Sequence, residues 1–177
     1  MINLKMEGKL IIVEGIPGSG KTTLCNQYKE ENPATIIFPE WVDKDVLIDY
    51  LSDMKNKAYS FQCRALEECR KAIIQALELV KEGKTVLIDR GPIGNSCFAQ
   101  LQYTAGFIQR EDFMSYLKKL EEVLSLLYNV QPEILYLDCS VEICLDRISK
   151  RGTGETYTKD YMEKLKYIHE QKLKPNY

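Results

Sequence analysis

The chain has 177 residues, the length of one ordinary domain, with 24 Lys and Arg against 26 Asp and Glu and a formal net charge of −2. Its 45% hydrophobic and 28% charged residues are globular values that exclude extensive disorder. The balanced charge lacks the basic footprint of nucleic-acid-binding proteins, and no apolar run approaches the ~20 residues that cross a bilayer. We therefore expect a single domain over residues 1–177, small-molecule partners, no nucleic-acid or membrane partner, and a cytoplasmic location.

Cysteine and histidine usage argues against a metal or redox centre. The 6 cysteines show no CxxC spacing, and His169 is the sole histidine. We expect reduced thiols, mostly in the core, and a structural role for His169.

The first predicted strand, Lys9–Glu14, runs directly into a glycine-rich loop that is followed by a helix from Lys21. The loop has the spacing GxxxxGK[ST]. Its predicted phosphate-binding residues are Gly15, Ile16, Pro17, Gly18, Ser19, Gly20, Lys21, Thr22 and Thr23.

Each part of this loop has a chemical reason. Glycines let backbone N–H groups wrap a phosphate, and the following helix presents its positive end to it. Lys21 is placed to bridge the outer phosphates, and Thr22 offers its hydroxyl to Mg²⁺. The sequence thus predicts ATP and Mg²⁺ as bound groups, with a merely structural glycine turn as the alternative.

Downstream, short apolar runs alternate with helical periodicity. Strands are predicted at 34–38, 85–88 and 134–137, and helices at 46–51, 61–80, 93–103, 112–128, from Ser140, and at 161–171. Alternation of this kind predicts a parallel sheet of four to five strands with helices on both faces, the three-layer α/β fold of P-loop NTPases.

Polar residues at strand ends are expected at the sheet edge where ligands bind. Asp89 ends a strand, where its carboxylate would face the metal, and Arg90 could neutralise phosphate charge. Glu40 follows another strand beside Trp41 and could accept a proton from an attacking hydroxyl. A solvated turn is the alternative for Asp89 and Arg90.

Arg147 and Arg151 lie four residues apart and therefore on one helical face. They precede a polar, glycine-punctuated segment, about 151–157, that we interpret as a lid loop. The pair resembles a phosphate clamp, and a solvated basic helix end is the alternative.

Phe61 and Gln62 open the predicted helix over 61–80. A glutamine amide pairs with a base edge while an aromatic ring stacks on its face, so the pair suits nucleobase recognition. A capping glutamine with a core phenylalanine is the alternative. Ala65 and Cys69, one and two turns on, are expected to line the same pocket with Asn95.

Taken together, several segments resemble the deoxynucleoside kinase family of P-loop enzymes, which includes thymidine, deoxycytidine and deoxyguanosine kinases. The matching segments, in order over nearly all the chain, are EGIPGSGKTT, PEW, YSFQ, DRG, LYLDCSVEICLDRISKRG and YMEKLKYIHEQ. The resemblance implies a homodimeric enzyme of nucleotide salvage.

By position, the resemblance implies Glu40 as general base, Gln62 as base reader and Arg90 near the 5′-oxygen. It implies Arg147 and Arg151 as lid arginines. It further implies that the sugar 3′-hydroxyl is held by Glu155 with help from Tyr50.

The sequence also departs from the family pattern. Proline precedes Glu40, Gly91 stands where a serine is usual, the lid is short with Thr153 in place of an arginine, and no fifth strand precedes Tyr177. We expect transfer of the ATP γ-phosphoryl group to the 5′-hydroxyl of a deoxynucleoside, with thymidine and other pyrimidines favoured. The alternatives are a thymidylate-type nucleoside monophosphate kinase and a nucleotide-binding protein of low turnover.

Overall fold

The computed structural model describes residues 8–152 and 155–174 as one layered α/β unit. Its strands are β1 (Lys9–Glu14), β2 (Ile36–Phe38), β3 (Thr85–Asp89) and β4 (Glu133–Tyr136). Its helices are α1 (Lys21–Glu31), α2 (Lys44–Ser52), α3 (Met54–Lys81), α4 (Pro92–Thr104), α5 (Arg110–Ser125), α6 (Val141–Arg151) and α7 (Lys159–Leu173). The strands pair in parallel in the order β2-β3-β1-β4, which confirms the predicted fold class.

Alternation along β1 divides the core into two layers. Leu10 and Ile12 pack with α3, α4 and α5 on one face of the sheet, whereas Ile11 and Val13 pack with α1 on the other. Because successive side chains point to opposite faces, Glu14 continues the face of Leu10 and Ile12. The same rule places Asp89, two residues after Leu87, on the α1 face.

The main difference from the sequence prediction is the start of α3. The helix begins at Met54 rather than Phe61, so Gln62 lies inside the helix instead of at its beginning. Asp53 caps it by accepting a hydrogen bond from the backbone N–H of Asn56. The first two turns are mostly polar and lack the apolar periodicity by which helices are predicted. Strand β2 is shorter than the predicted 34–38 because pairing with β3 starts at Ile36.

The last two helices complete the fold beside α4. A second core joins α4 to α6 and α7, and it includes Cys97, Cys144 and Met162. His169 is fully buried in this region, and its Nδ1 lies 2.9 Å from the Leu165 carbonyl oxygen, as expected for a structural histidine. Over the described residues, no helix combines the length and apolar character needed to cross a membrane.

Candidate active site

The phosphate loop joins β1 to α1 with backbone angles that favour glycine. Gly18 has φ 78° and Gly20 has φ 102°. A Cβ atom on Gly18 would lie 2.5 Å from the backbone oxygen of Cys144, so α6 packs directly on the loop. The loop is therefore closed on its outer side by a helix that contains the predicted lid arginines.

Lys21 lies at the start of α1 with only 5% of its surface exposed. Its Nζ donates a hydrogen bond to the Ile16 carbonyl oxygen at 3.3 Å. Burial, with a contribution from the Arg90 charge, lowers the pKa of Lys21 to about 8, although nearby carboxylates oppose the shift. A phosphate anion would favour the charged ammonium, so the position suits the predicted role.

Thr22 and Asp89 meet beside the loop. The Thr22 hydroxyl donates to Asp89 Oδ2 at 2.6 Å, whereas Asp89 Oδ1 is buried with no hydrogen-bond partner among the described residues. Burial raises the pKa of Asp89, and Glu40 adds to the shift. A buried carboxylate oxygen without a partner next to a hydroxyl fits Mg²⁺, which needs few protein ligands. The described residues hold no group of three or more His, Cys, Asp or Glu that could bind a metal ion.

Arg147 contacts the loop itself. Its Nη1 donates to the carbonyl oxygens of Gly18 and Ser19, each at 3.2 Å. Arg151, one turn further along α6, is exposed, and its charge contributes to the low pKa of Glu40. The two arginines lie one turn apart on α6, and Arg147 braces the loop whereas Arg151 is exposed.

Arg90 and Glu40 form an ion pair between the ends of β3 and β2. Arg90 Nε donates to Glu40 Oε1 at 2.5 Å, and the Arg90 side chain is 4% exposed. Burial opposes ionisation of Glu40, yet the charges of Arg90 and Lys21 outweigh it and hold its pKa below the ordinary value. Glu40 is therefore a carboxylate at neutral pH, in the charge state that a general base requires.

A cavity of about 30 Å³ opens beside this pair. Its lining consists of Pro39, Glu40, Trp41, Ala65, Glu68, Cys69, Ala72, Ile88, Asp89, Arg90 and Asn95. Two helices and the ends of two strands thus bring together Ala65 and Cys69 of α3, Asn95 of α4, and Glu40, Trp41 and Arg90. Phe61, Gln62, Tyr50 and Glu155, which the sequence also assigned to the acceptor, are not part of this lining.

The aromatic residues of the predicted pocket pack against one another. Phe61 stacks on Tyr50 with ring centroids 4.3 Å apart and lies 6.1 Å from Trp41. Gln62 is 3% exposed. Burial raises the pKa of the Tyr50 hydroxyl, and the Gln62 side chain opposes the shift through a hydrogen bond. The helices α2 and α3 therefore present these side chains as one cluster.

Three further residues at the site were not singled out from the sequence. Tyr157 stacks on Tyr161 with centroids 5.5 Å apart. Burial, Glu155 and Tyr161 raise the pKa of Tyr157, whereas the charge of Arg90 opposes the shift. Glu14 ends β1 with 1% of its surface exposed. Burial raises the Glu14 pKa to about 7 against the opposing charge of Arg90. Glu14 could have been recognised from the sequence because it is a carboxylate at the end of a mostly apolar strand. No local sequence pattern indicates a functional role for the two tyrosines.

A family model described as deoxynucleoside kinase matches residues 11–176. The chain belongs to the deoxynucleoside kinase family. Transferase and nucleotide-binding character follow from this membership.

The relatives of this family member include a thymidylate kinase and a deoxyadenosine kinase. A thymidylate kinase of Mycoplasmoides gallisepticum is 28% identical over 187 residues, 96% of this chain and 83% of the relative. A deoxyadenosine kinase of Dictyostelium discoideum is 26% identical over 148 residues, 83% of this chain and 58% of the relative. The family is thus settled, while the acceptor differs between relatives.

A solved structure shares the fold of this family member. Deoxyadenosine kinase from M. mycoides, solved with dCMP and dCDP, superposes with a TM-score of 0.75 at 24% identity, over 92% of this chain and 82% of that chain. The agreement confirms the P-loop kinase architecture. Two departures from the family pattern bear on the structure. Thr153 lies outside the described residues. Gly91 stands where a larger side chain would collide with Ile12 and Glu14.

Proposed function

We propose that the protein transfers the γ-phosphoryl group of Mg·ATP to the 5′-hydroxyl of a deoxynucleoside, with Glu40 as the general base. The observation that carries this proposal is the Glu40 carboxylate, which lines the acceptor cavity and is held ionised by Arg90. A hydroxyl acceptor must lose a proton as it attacks, whereas a phosphate acceptor is already an anion and needs no base.

The remaining roles follow from placement around the cavity. The loop N–H groups and Lys21 hold the phosphates, and Arg147 keeps the loop in shape through Gly18 and Ser19. Mg²⁺ held by Thr22 and Asp89 would supply charge neutralisation at the phosphates. Arg90 orients Glu40 and covers charge that develops on the transferred group. Catalysis then depends mainly on positioning and electrostatics.

For the acceptor, Gln62 is proposed to pair with the base, Phe61 and Trp41 to flank it, and Asn95 to close the pocket. Tyr50 and Glu155 are proposed to hold the sugar. Small side chains at Ala65 and Cys69 leave room for a thymine methyl group, which supports a pyrimidine preference. A Gln62→Ala variant that ranks the bases as the wild type does would contradict this pocket assignment.

A second candidate is a thymidylate-type monophosphate kinase, which the name of the Mycoplasmoides gallisepticum relative favours. Such an enzyme would use Arg90 and Arg151 for the acceptor phosphate and would have no need of Glu40 as a base.

The test is transfer of label from γ-labelled Mg·ATP to a panel of deoxynucleosides and, separately, to their monophosphates, with products resolved by chromatography. Label on a deoxynucleoside is expected and ranks the bases in the same experiment. Label on monophosphates alone would replace the proposal with the second candidate. Label on neither would leave a nucleotide-binding protein of low turnover.

The expectations of a cytoplasmic homodimer that binds no nucleic acid stay predictions. Gel filtration with light scattering would test the oligomeric state directly.

A further inference from the structure

Glu14 is a buried carboxylate that the proposed reaction does not use. It ends β1 on the face of Leu10 and Ile12, opposite to the α1 face on which Asp89 lies. Its Oε1 accepts hydrogen bonds from two backbone N–H groups, Gly91 at 3.2 Å and Gly94 at 3.0 Å. These N–H groups belong to the N-terminal cap and first turn of α4, which have no intrahelical acceptor. One carboxylate oxygen therefore anchors the start of α4 to the end of β1.

The two glycines make this approach possible. A Cβ atom on Gly94 would lie 2.1 Å from Glu14 Oε2, and one on Gly91 would lie 2.4 Å from Ile12 Cγ2 and 2.8 Å from Glu14 Oε1. Glu14 is enclosed by these neighbours and has no exposed space into which it could move. Glycine at both positions thus leaves the space that the Glu14 side chain fills.

Arg90 lies directly between the two anchored segments. It has φ 71°, a left-handed conformation that non-glycine residues adopt at a cost. On one side its backbone N–H donates to the Val13 carbonyl oxygen at 2.9 Å and its Nη1 to the Gly15 carbonyl oxygen at 3.3 Å. These two acceptors are the chain neighbours of Glu14. On the other side the chain continues into Gly91, which Glu14 itself binds.

We propose that Glu14 is a positioning residue that fixes the backbone on both sides of Arg90 and so aims the Arg90 guanidinium at Glu40 and the transferred phosphate. It touches no reacting atom in this arrangement and acts through Arg90. The inference rests on the proposed function, in which Arg90 and Glu40 serve the acceptor.

The hydrogen-bonding role and the charge of Glu14 can be separated by substitution. Glu14→Gln keeps an oxygen that can accept from both N–H groups and removes the charge, whereas Glu14→Ala removes the acceptor and leaves two buried N–H groups without a partner. If positioning is the role, Glu14→Gln keeps acceptor turnover within about threefold of the wild type. Glu14→Ala lowers kcat for the acceptor by about 10- to 100-fold, because misplacement of a catalytic group by about 1 Å costs that much.

A matched control separates positioning from general destabilisation. Leu101→Ala removes a buried side chain from the same helix, two turns beyond Gly94. It is expected to lower the melting temperature and to leave kcat unchanged at a temperature where the variant is folded. Binding of Mg·ATP is expected to stay within about threefold of the wild type in Glu14→Ala, because the loop binds phosphate through its own backbone groups.

Gly94→Ala tests the contact from the opposite side. Its added Cβ meets Glu14 Oε2, so this variant is expected to lower both stability and kcat. In the Glu14→Ala background the clash is removed, and the second substitution is expected to cost much less than it does alone. Additive effects on stability would contradict the packing contact.

A spectroscopic readout makes the inference independent of turnover. Arg90 Nε donates to Glu40, so its Hε should give a distinct, exchange-protected NMR resonance, assigned by its loss in Arg90→Lys. We expect this resonance to persist in Glu14→Gln and Leu101→Ala and to shift or disappear in folded Glu14→Ala. An unchanged resonance together with unchanged kcat in Glu14→Ala would overturn the inference. If the wild type phosphorylates no acceptor, the proposed function fails, and the resonance still decides whether Glu14 positions Arg90.

Discussion

The two halves of the active site are built differently. The phosphate half is a backbone cradle formed by one continuous segment, 15–22, and braced by two distant side chains, Arg147 and Arg90. The acceptor half is a cluster of side chains from α2, α3, α4 and the ends of β2 and β3. A backbone cradle tolerates changes in surrounding side chains, whereas a side-chain cluster depends on the packing of every element that contributes to it. The halves should therefore respond differently to substitution.

The largest effect is expected in the phosphate half. Lys21→Ala removes the buried ammonium that we propose binds the phosphates, and transfer should fall by about a thousandfold. Initial rates of label transfer measure the loss. Lys29→Ala, at an exposed position of the same helix, is the control and should leave the rate of label transfer unchanged. Turnover that survives Lys21→Ala would show that the cradle does not bind the phosphates as described.

In the acceptor half, Glu40→Gln should lower turnover of deoxynucleosides by about 100-fold or more because the base is lost. Its effect on Mg·ATP binding should be small. Steady-state kinetics with a deoxynucleoside and with its monophosphate measure the difference between the acceptors. Equal losses with both would mean that Glu40 serves the structure around Arg90 rather than proton transfer.

A smaller effect is expected where a side chain braces the cradle. Arg147→Ala removes two hydrogen bonds to loop carbonyl oxygens and should raise KM for ATP by about tenfold. Lys150→Ala, on the same helix with only a surface ion pair to Asp146, should change KM by less than about twofold. Equal KM values for ATP in the two variants would show that the contact of α6 with the loop does not contribute to ATP binding.

A last effect lies outside both halves and concerns stability alone. Burial lowers the pKa of His169 to about 3 from an ordinary value of 6.5. Between pH 6.5 and about pH 3, His169 therefore binds a proton in the unfolded chain but not in the folded chain. Stability should then fall as pH decreases below 6.5, by about 1.4 kcal/mol per pH unit from this group.

Urea unfolding of the wild type and His169→Leu at several pH values isolates this contribution. Glu14 acts in the opposite direction, because its raised pKa of about 7 makes the folded chain bind the extra proton. Only the difference between the two proteins therefore reports on His169. A difference that does not change with pH would show that His169 is not held neutral by the fold.

The fold and the phosphate half were largely predictable from local patterns. Strand, glycine loop and helix follow one another within residues 9–31, and their side chains need no distant partner to be recognised. The start of α3 was missed because its first turns are mostly polar, although Asp53 caps the helix. Tyr157 and Tyr161 were missed because their link to the site runs through Arg90, which lies far away in the chain.

By itself, then, the sequence determined the family, the fold class, the phosphate loop and the residue types available to the acceptor. The tertiary structure decided how those residues are paired. It joined Glu40 to Arg90, Thr22 to Asp89 and Arg147 to the loop, and it gave Glu14 its contacts with α4. The physical reason is range: backbone conformation and hydrophobic periodicity act over a few residues, whereas ion pairs and buried hydrogen bonds depend on which strands and helices come together.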